Sequence, residues 1–314
     1  MKCLTCLFVS VAALASAQSA AQPVITLAGG GFAPAPPAQA VAPGQLLVIS
    51  VYGILTRIPS PQVTAPTADG WPNSVAGVAF DLVQGNPPSV TPVAVRGIQQ
   101  TQCGPSGVCS LLTSATLIIP FTLHSNYASL GEPPPQLRIS ENGITVGTVL
   151  LRPVSDFVHV LNTCDGTLVY LSAAYSVPQD VCTPAVMVGD KLNSLYNLAH
   201  AGDQLAMWLY GLGPISAGSG GAVLPENLAK PVQSFQLNFD YRPNVPASPA
   251  VPGFGVTAAP VFAAYTGGTY QINFVVPPVP AGTPACDGVK VKSNLTVTVT
   301  GANSFDAALL CVAS

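Results

Sequence analysis

Charged side chains are scarce in this sequence. Only 7% of its 314 residues are Asp, Glu, Lys or Arg, against roughly 25% in typical soluble proteins. The chain contains ten Lys and Arg residues and 13 Asp and Glu residues, which gives a formal net charge of −3. Such a chain has no basic stripe for phosphate groups, so the sequence disfavours nucleic acid as a partner. Because few like charges repel neighbouring molecules, we expect that the protein can self-associate.

Helical periodicity is missing as well, since 32 prolines and 29 glycines are spread along the chain and no apolar pattern at a spacing of 3.6 residues persists. One apolar run, from about Leu4 to Leu14, follows Lys2 and precedes Ala15-Ser16-Ala17. The run is too short to cross a bilayer of roughly 30 Å and fits a leader with a small-residue cleavage site. We predict a signal peptide over 1–17 and a mature chain without a transmembrane segment. The predicted location is extracellular or in the cell envelope, either the periplasm or the outer surface.

Motifs for catalysis and cofactor binding are also lacking. The histidines His124, His159 and His200 are far apart, whereas a metal site favours a near pair. Asp156 and His159, with Asp165 nearby, would form an acid–base pair only if folding joined them, and no Gly-x-Ser-x-Gly motif supplies a nucleophile. Paired acids could serve glycoside hydrolysis, but the candidates read more simply as surface acids: Asp81, Glu132, Glu141, Glu226 and Asp240. We predict a protein that is not an enzyme and that needs no cofactor or metal.

Six cysteines remain once the predicted leader is removed, and an even number favours disulfides in an exported chain. Proximity in sequence suggests three pairs, Cys103–Cys109, Cys164–Cys182 and Cys286–Cys311. The alternative is metal ligation or free thiols, but no Cys-x-x-Cys or Cys-x-x-His spacing occurs among these six. The connectivity stays open at the level of the sequence.

Short segments rich in β-branched and aromatic residues recur along the chain, bounded by Gly, Pro or Asn. Examples are QLLVISVYG (45–53), GVAFDLVQG (77–85), QLAMWLYG (204–211) and TYQINFVVP (269–277). Between Lys290 and Val299 the apolar side chains occupy odd positions, which predicts a strand with one buried and one solvated face. Asn142-Gly143 is a strong signal for a two-residue hairpin. Together these patterns predict an all-β protein built of β-sandwiches.

Two stretches share one pattern, APGQLLVISVYG (42–53) and HAGDQLAMWLYG (200–211), at an offset of 158 residues. ATLIIP then matches YQINFVVP at an offset of 157 residues, and LRISEN matches VKVKSN at 152. Matches in the same order at such offsets indicate a duplicated domain. We predict two tandem immunoglobulin-like β-sandwich domains, at 23–160 and 199–314, joined by a disulfide-pinned connecting segment over 161–198.

The repeated motifs also resemble a known family. APGQLLVISVYG, DKLNSLYNLAHAGDQLAMWLYGLGP and VTAAPVFAAYTGGTYQINFVVPPVPAGTPACDGVKVKSN are similar to segments of an uncharacterised family of exported proteins from Acidobacteria such as Solibacter. That family has a C-terminal immunoglobulin-like (IPT/TIG-like) domain. The resemblance covers 186–314 well and 23–160 weakly, and Tyr210, Cys286 and Cys311 depart from the family pattern. It implies secreted or cell-surface immunoglobulin-like modules, and it carries over no catalytic residue.

The aromatic residues supply the one candidate ligand contact, Trp71, in the loop TADGWPNS. Trp208 is predicted to lie on the outer face of its strand, whereas Tyr52 and Tyr210 are predicted to pack in the core or at a sheet edge. We expect a non-enzymatic protein for adhesion, surface structure or protein interaction, whose partner is an unknown protein or glycan at the cell surface. Exposed sheet edges would allow contact by strand addition. The alternative is an extracellular carbohydrate-binding protein centred on Trp71, and the third class is an extracellular hydrolase.

Overall fold

The computed structural model describes residues 26–30, 33–34, 38–65, 67, 70–101, 112–163, 183–216, 230–250, 255–258, 262–266 and 269–313. Every regular element in these ranges is a β-strand, which confirms the all-β prediction. The described residues contain no helix that is long and apolar enough to span a bilayer. The predicted signal peptide, together with Cys103, Cys109, Cys164 and Cys182, lies outside the described residues.

The first twelve strands form the first sandwich. They are β1 (Thr26–Gly30), β2 (Ala33–Pro34), β3 (Gln39–Val41), β4 (Leu46–Tyr52), β5 (Gln62–Val63), β6 (Ser74–Val75), β7 (Val78–Gln84), β8 (Ser89–Pro92), β9 (Ala94–Thr101), β10 (Leu112–Ile118), β11 (Gln136–Glu141) and β12 (Ile144–Pro153). One sheet has the order β2-β1-β4-β10-β9-β5, and the other has the order β3-β12-β11-β7-β6 with β8 paired to β7.

The core of the first sandwich follows from alternation along its strands. In β4, Leu47 and Ile49 point into the core, while the intervening side chains face outward. Phe80 of β7 and Leu137 of β11 meet them from the other sheet, and all four side chains are fully buried. Burying such a side chain contributes about 1.5–3 kcal/mol, so this two-sided contact is what holds the two sheets together.

The hairpin between β11 and β12 has the turn that the sequence predicts. Glu141 pairs with Ile144, and the two residues between them have positive φ angles, 50° at Asn142 and 81° at Gly143. Two positive φ angles define a type I′ turn, and Asn-Gly favours that turn because both residues tolerate the left-handed region.

The last ten strands form the second sandwich. They are β13 (His159–Val160), β14 (Val186–Val188), β15 (Lys191–Leu192), β16 (Gln204–Tyr210), β17 (Gln236–Asp240), β18 (Gly255–Ala258), β19 (Phe262–Thr266), β20 (Thr269–Val275), β21 (Leu295–Thr300) and β22 (Phe305–Leu310). One sheet has the order β15-β14-β16-β20-β19 with β13 paired to β16, and the other has the order β18-β17-β21-β22. Leu205, Phe239 and Phe274 lie in the core between these sheets.

The two sandwiches share their strand order. The succession β2-β1-β4-β10-β9 corresponds to β15-β14-β16-β20-β19, and β12-β11-β7 corresponds to β22-β21-β17. The turns that enter β4 and β16 also agree in their hydrogen bonds. Gly44 donates its N–H to Ile119 at 3.0 Å, and Gly202 donates to Val276 at 2.9 Å.

Side chains cap these two entering turns in the same way. The Gln45 side chain accepts the Ala42 N–H at 2.7 Å, and the Asp203 carboxylate accepts the His200 N–H at 2.7 Å. Each side chain closes a local turn by accepting the backbone N–H three residues earlier, as the second side chain of a capping box does.

The two sandwiches are joined by a small apolar cluster. Leu46 and Ile118 lie on the outer face of the first sandwich and pack with the buried ring of Tyr210 from the second, and Trp71 and Leu161 contact this cluster. Because this apolar surface is removed from water only while the sandwiches touch, it favours one fixed arrangement of the two.

Part of the predicted connecting segment 161–198 belongs to the second sandwich. β14 pairs with β16 from Val186 opposite Met207, and β15 extends the same sheet. β13, which the sequence analysis assigned to the first domain, pairs with β16 through His159 opposite Tyr210. The physical reason is that one long edge of β16 needs hydrogen-bond partners, and these short strands supply them.

The predicted alternation between Lys290 and Val299 is wrong in two respects. The strand begins only at Leu295, and both of its faces are buried. Thr296 donates its hydroxyl to the Val245 carbonyl at 2.8 Å, and the Thr298 hydroxyl accepts the Ser248 N–H at 3.2 Å. The segment around 241–250 therefore covers the face that was expected to be solvated.

Candidate functional site

A cleft of about 730 Å³ opens at one edge of the second sandwich. β13 and the adjacent β22 line the cleft, and the loops around 193–196 and 288–293 complete its wall. The cleft lies where the edges of the two sheets of this sandwich are adjacent. Concave surfaces of this kind, with polar groups in the wall, are the usual place for a ligand.

A histidine and an aspartate are fixed side by side in the cleft wall. His159 Nδ1 lies 2.9 Å from Asp306 Oδ2, and the same carboxylate oxygen accepts the Val160 N–H at 2.8 Å. The His159 ring also contacts the Tyr210 ring, with centroids 5.1 Å apart. The imidazole is therefore held in one orientation by a carboxylate and by an aromatic ring.

Asp156 and His159, which the sequence analysis considered as an acid–base pair, each have a different partner in the structure. Asp156 is 1% exposed and accepts hydrogen bonds from the backbone N–H of Asn303 and from the Ser304 hydroxyl at 2.6 Å. His159 pairs instead with Asp306, and Asp165 lies outside the described residues. Asp156 thus fastens the start of the second sandwich to the loop before β22.

The loop at 193–197 is ordered by a buried amide. Asn193 is 4% exposed, donates to the Cys311 carbonyl at 2.8 Å and accepts the Cys311 N–H at 2.8 Å. The Asn193 amide thus makes the two backbone hydrogen bonds with Cys311 that a residue of a neighbouring strand would make. Leu195 of this loop lies against Gly288, where an added side chain would meet it.

The loop at 286–293 is ordered by a disulfide and by a carboxylate. Cys286 is bonded to Cys311, as the sequence predicts. The Asp287 carboxylate accepts backbone N–H groups from Val291, Val289 and Lys290 at 2.9, 2.8 and 2.7 Å. These hydrogen bonds hold the pKa of Asp287 below its usual range, because they favour the ionised carboxylate.

The two ordered loops expose large side chains at the rim of the cleft. Tyr196 is 99% exposed and Val289 is 79% exposed. Lys290 and Lys292 are exposed beside Val289, and Lys292 lines the cleft. In the part of the chain that the structure describes, neither lysine forms an ion pair.

Trp71 lies away from this cleft. Its ring is half-buried against the apolar cluster that joins the sandwiches, and the Arg96 guanidinium carbon lies 4.9 Å from its ring centroid. Both contacts are structural, since one is hydrophobic packing and the other is a cation–π interaction. Trp208 faces away from the core formed by Met207 and Leu209, as predicted.

The remaining candidate residues each have a local partner. His124 pairs with Glu132 at 2.7 Å, Asp81 with Arg138 at 2.9 Å, His200 with Asp203 at 3.4 Å and Asp240 with Arg242 at 2.7 Å. The Glu141 carboxylate accepts the backbone N–H groups of Leu55 and Thr56. Glu226 lies outside the described residues. Among the described residues, no three His, Cys, Asp or Glu side chains are grouped in a way that could hold a metal ion.

The sequence analysis missed the residues of the rim. Tyr196 lies in a stretch that was assigned to a connecting segment, and Lys290 and Lys292 lie in a stretch that was assigned to a strand. One local signal pointed to the second loop, because Asp-Gly at 287–288 favours a turn. No local signal brings these two loops together.

Comparisons with known proteins do not assign this chain to a family. No protein-family model matches it, and no curated protein matches it. Among solved structures it is similar to the adhesin InvE of Yersinia pseudotuberculosis, with 13% identity over 92% of this chain and a TM-score of 0.18. The chain spans 59% of the length of that adhesin. At this TM-score the similarity carries no argument about function.

Proposed function

We propose that the protein is an exported, non-enzymatic adhesion protein that contacts its partner at a cell surface through the rim of the cleft in its second sandwich. The observation that carries the proposal is the high exposure of Tyr196 and Val289, 99% and 79%, on ordered loops. Exposed apolar side chains that cluster on a soluble protein mark interaction sites more often than scattered ones do. Here the cluster lies on loops fixed by a buried amide and a disulfide.

Two further observations support this proposal. The Cys286–Cys311 disulfide fits an oxidising compartment, since disulfides persist mainly in exported proteins. The shared strand order of the two sandwiches supports two immunoglobulin-like domains in tandem. The apolar cluster at Tyr210 would let this pair act as one body that carries the rim.

An enzymatic role has less support from the described residues. His159 and Asp306 form the only ordered acid–base pair in the described wall of the cleft. A hydrolase would also need a nucleophile within hydrogen-bond reach of the imidazole. A carbohydrate-binding role remains the second candidate, and Tyr196 rather than Trp71 is the aromatic residue that favours it.

Adherence of the labelled full chain to intact cells of the organism that encodes it tests the proposal. We expect saturable adherence that a Tyr196→Ala, Val289→Ser double variant weakens roughly fivefold or more, as for a contact residue in an interface. The matched control is Val90→Ser, because Val90 is 48% exposed on the first sandwich and should leave adherence unchanged. Failure of the wild-type chain to adhere at any concentration would refute the proposal.

A further inference from the structure

The rim combines a flat aromatic surface with positive charge. Tyr196 presents both faces of its ring to solvent, and Lys290 and Lys292 follow on the adjacent loop. The chain has ten Lys and Arg residues in all, and two of them lie on this one loop without an ion pair among the described residues. Such a surface attracts an anionic partner, in a manner that salt weakens.

The acidic groups near these lysines are already engaged. Asp287 accepts three backbone N–H groups, and Asp306 is paired with His159 and the Val160 N–H. Neither carboxylate forms an ion pair with Lys290 or Lys292 among the described residues, so the ammonium groups remain available to a ligand.

The wall of the cleft contains polar side chains among apolar ones. Asn162, Thr183 and Ser194 line it beside the rim. Asn162 and Thr183 already interact with other groups of the protein, whereas the Ser194 hydroxyl can donate to and accept from the hydroxyl groups of a sugar. The flat face of a pyranose ring, with its axial C–H groups, packs on an aromatic ring in the way that other apolar groups do.

We propose that this cleft binds an anionic polysaccharide, with a sugar ring lying on Tyr196 and an acidic group of the polymer paired with Lys290 and Lys292. This inference rests on the proposed function and names the class of its partner. An acidic polypeptide would satisfy the lysines, but it has no regular row of flat rings for Tyr196. The exposed tyrosine therefore decides in favour of the polysaccharide.

Titration calorimetry with the full chain and polygalacturonic acid as the probe tests the inference. We expect binding that Tyr196→Ala weakens roughly tenfold, as loss of a stacking aromatic residue does at other binding sites. Lys290→Gln and Lys292→Gln should each weaken it about threefold, and salt should weaken it further. Tyr196→Phe keeps the ring and should bind within about twofold of the wild type.

Matched controls separate the site from general charge effects. Arg152→Gln removes one exposed positive charge on the first sandwich and should leave binding unchanged. Fully methyl-esterified polygalacturonic acid lacks the charge and should bind more weakly than the acid. Dextran sulfate tests whether a sulfate group can replace the carboxylate of the polysaccharide. For each variant, an unfolding midpoint equal to that of the wild type shows that the variant is folded.

Three outcomes would overturn the inference. The first is that neither polygalacturonic acid nor dextran sulfate binds, and the second is that Tyr196→Ala binds as the wild type does. The third is that polyglutamate binds as tightly as the polysaccharide, with the same loss in the lysine variants. If any of these occurs while the wild-type chain still adheres to cells, the inference fails and the proposed adhesion function stands.

Discussion

Ser304 donates its hydroxyl hydrogen to the Asp156 carboxylate at 2.6 Å, across 148 residues of sequence. The backbone N–H of Asn303 donates to the same carboxylate, and the Val158 N–H donates to the Ser304 hydroxyl at 2.8 Å. This group fixes the chain as it passes from the first sandwich into β13. It therefore positions His159 and one wall of the cleft.

Removing the Asp156 carboxylate should destabilise the protein. We expect Asp156→Ala to lower the free energy of unfolding by about 2–3 kcal/mol, because the donors at Asn303 and Ser304 lose the charged acceptor that the buried Asp156 provides. Urea denaturation measures the change. Asp190→Ala is the control, since Asp190 is exposed and should change stability little. Equal effects of the two substitutions would contradict this interpretation.

Gly44 and Gly202 occupy equivalent turns, with φ angles of 70° and 89°, but their surroundings differ. A methyl group at Gly44 would overlap the Phe121 ring, whereas nothing lies within 4 Å of that position at Gly202. We expect Gly202→Ala to cost about 1 kcal/mol from the positive φ alone. Gly44→Ala should cost about 3 kcal/mol, because overpacking is added to this strain. Thermal and urea unfolding of both variants would test the difference, and equal losses would contradict it.

The Cys286–Cys311 disulfide closes a loop with a sequence separation of 25. Replacing both cysteines by serine should lower the free energy of unfolding by about 3 kcal/mol, mainly because the unfolded chain regains freedom. Denaturation of the oxidised wild type and of the double variant gives this value. A non-reducing protease digest should contain one peptide pair joined by Cys286 and Cys311. Recovery of both residues as free thiols would disprove the bond.

Tyr210 should couple the two sandwiches. We expect Tyr210→Ala to cost about 3 kcal/mol, because the ring is buried against Leu46 and Ile118 and its removal leaves a cavity. Calorimetry should also show the unfolding transition broaden or split as the sandwiches separate. Tyr52→Ala is the matched control at the corresponding position of the first sandwich, where the ring is half-buried. A larger loss at Tyr52 than at Tyr210 would argue against the coupling.

Burial raises the pKa of Tyr241 to about 12, and its hydroxyl donates to the Pro277 carbonyl at 2.8 Å. The unfolded chain releases this proton near pH 10, so the folded state binds more protons between about pH 10 and pH 12. Stability should therefore fall as the pH rises through that window. Urea denaturation at successive alkaline pH values should show a smaller fall for Tyr241→Phe. The same slope in both proteins would contradict the prediction.

Several elements were predictable because the information for them is local. The Asn142-Gly143 turn follows from two residues that tolerate positive φ, and alternation in QLLVISVYG predicts the core face of β4. The Cys286–Cys311 pair was suggested by the proximity of the two cysteines in sequence. In each case the residues that favour the feature lie in the same short segment as the feature itself.

Other elements could not be predicted because their partners come from distant segments. β14 was assigned to a connecting segment, since its three residues become a strand only beside β16. Trp71 was the candidate ligand contact, with structural anchoring of its loop as the other reading, and it packs in the joint between the sandwiches. The face of β21 that was expected to be solvated is covered by the segment around 241–250.

The sequence by itself determined the all-β class and the hairpin turn, because these depend on side-chain alternation and backbone preference, and it suggested the Cys286–Cys311 pair from a short separation. Only the tertiary structure decided the cleft. Its walls come from β13, the loop at 193–197, the loop at 286–293 and β22, which are up to about 150 residues apart in the chain. Contacts over such separations depend on how the sheets pack and on which buried polar groups find partners, and no single segment encodes either.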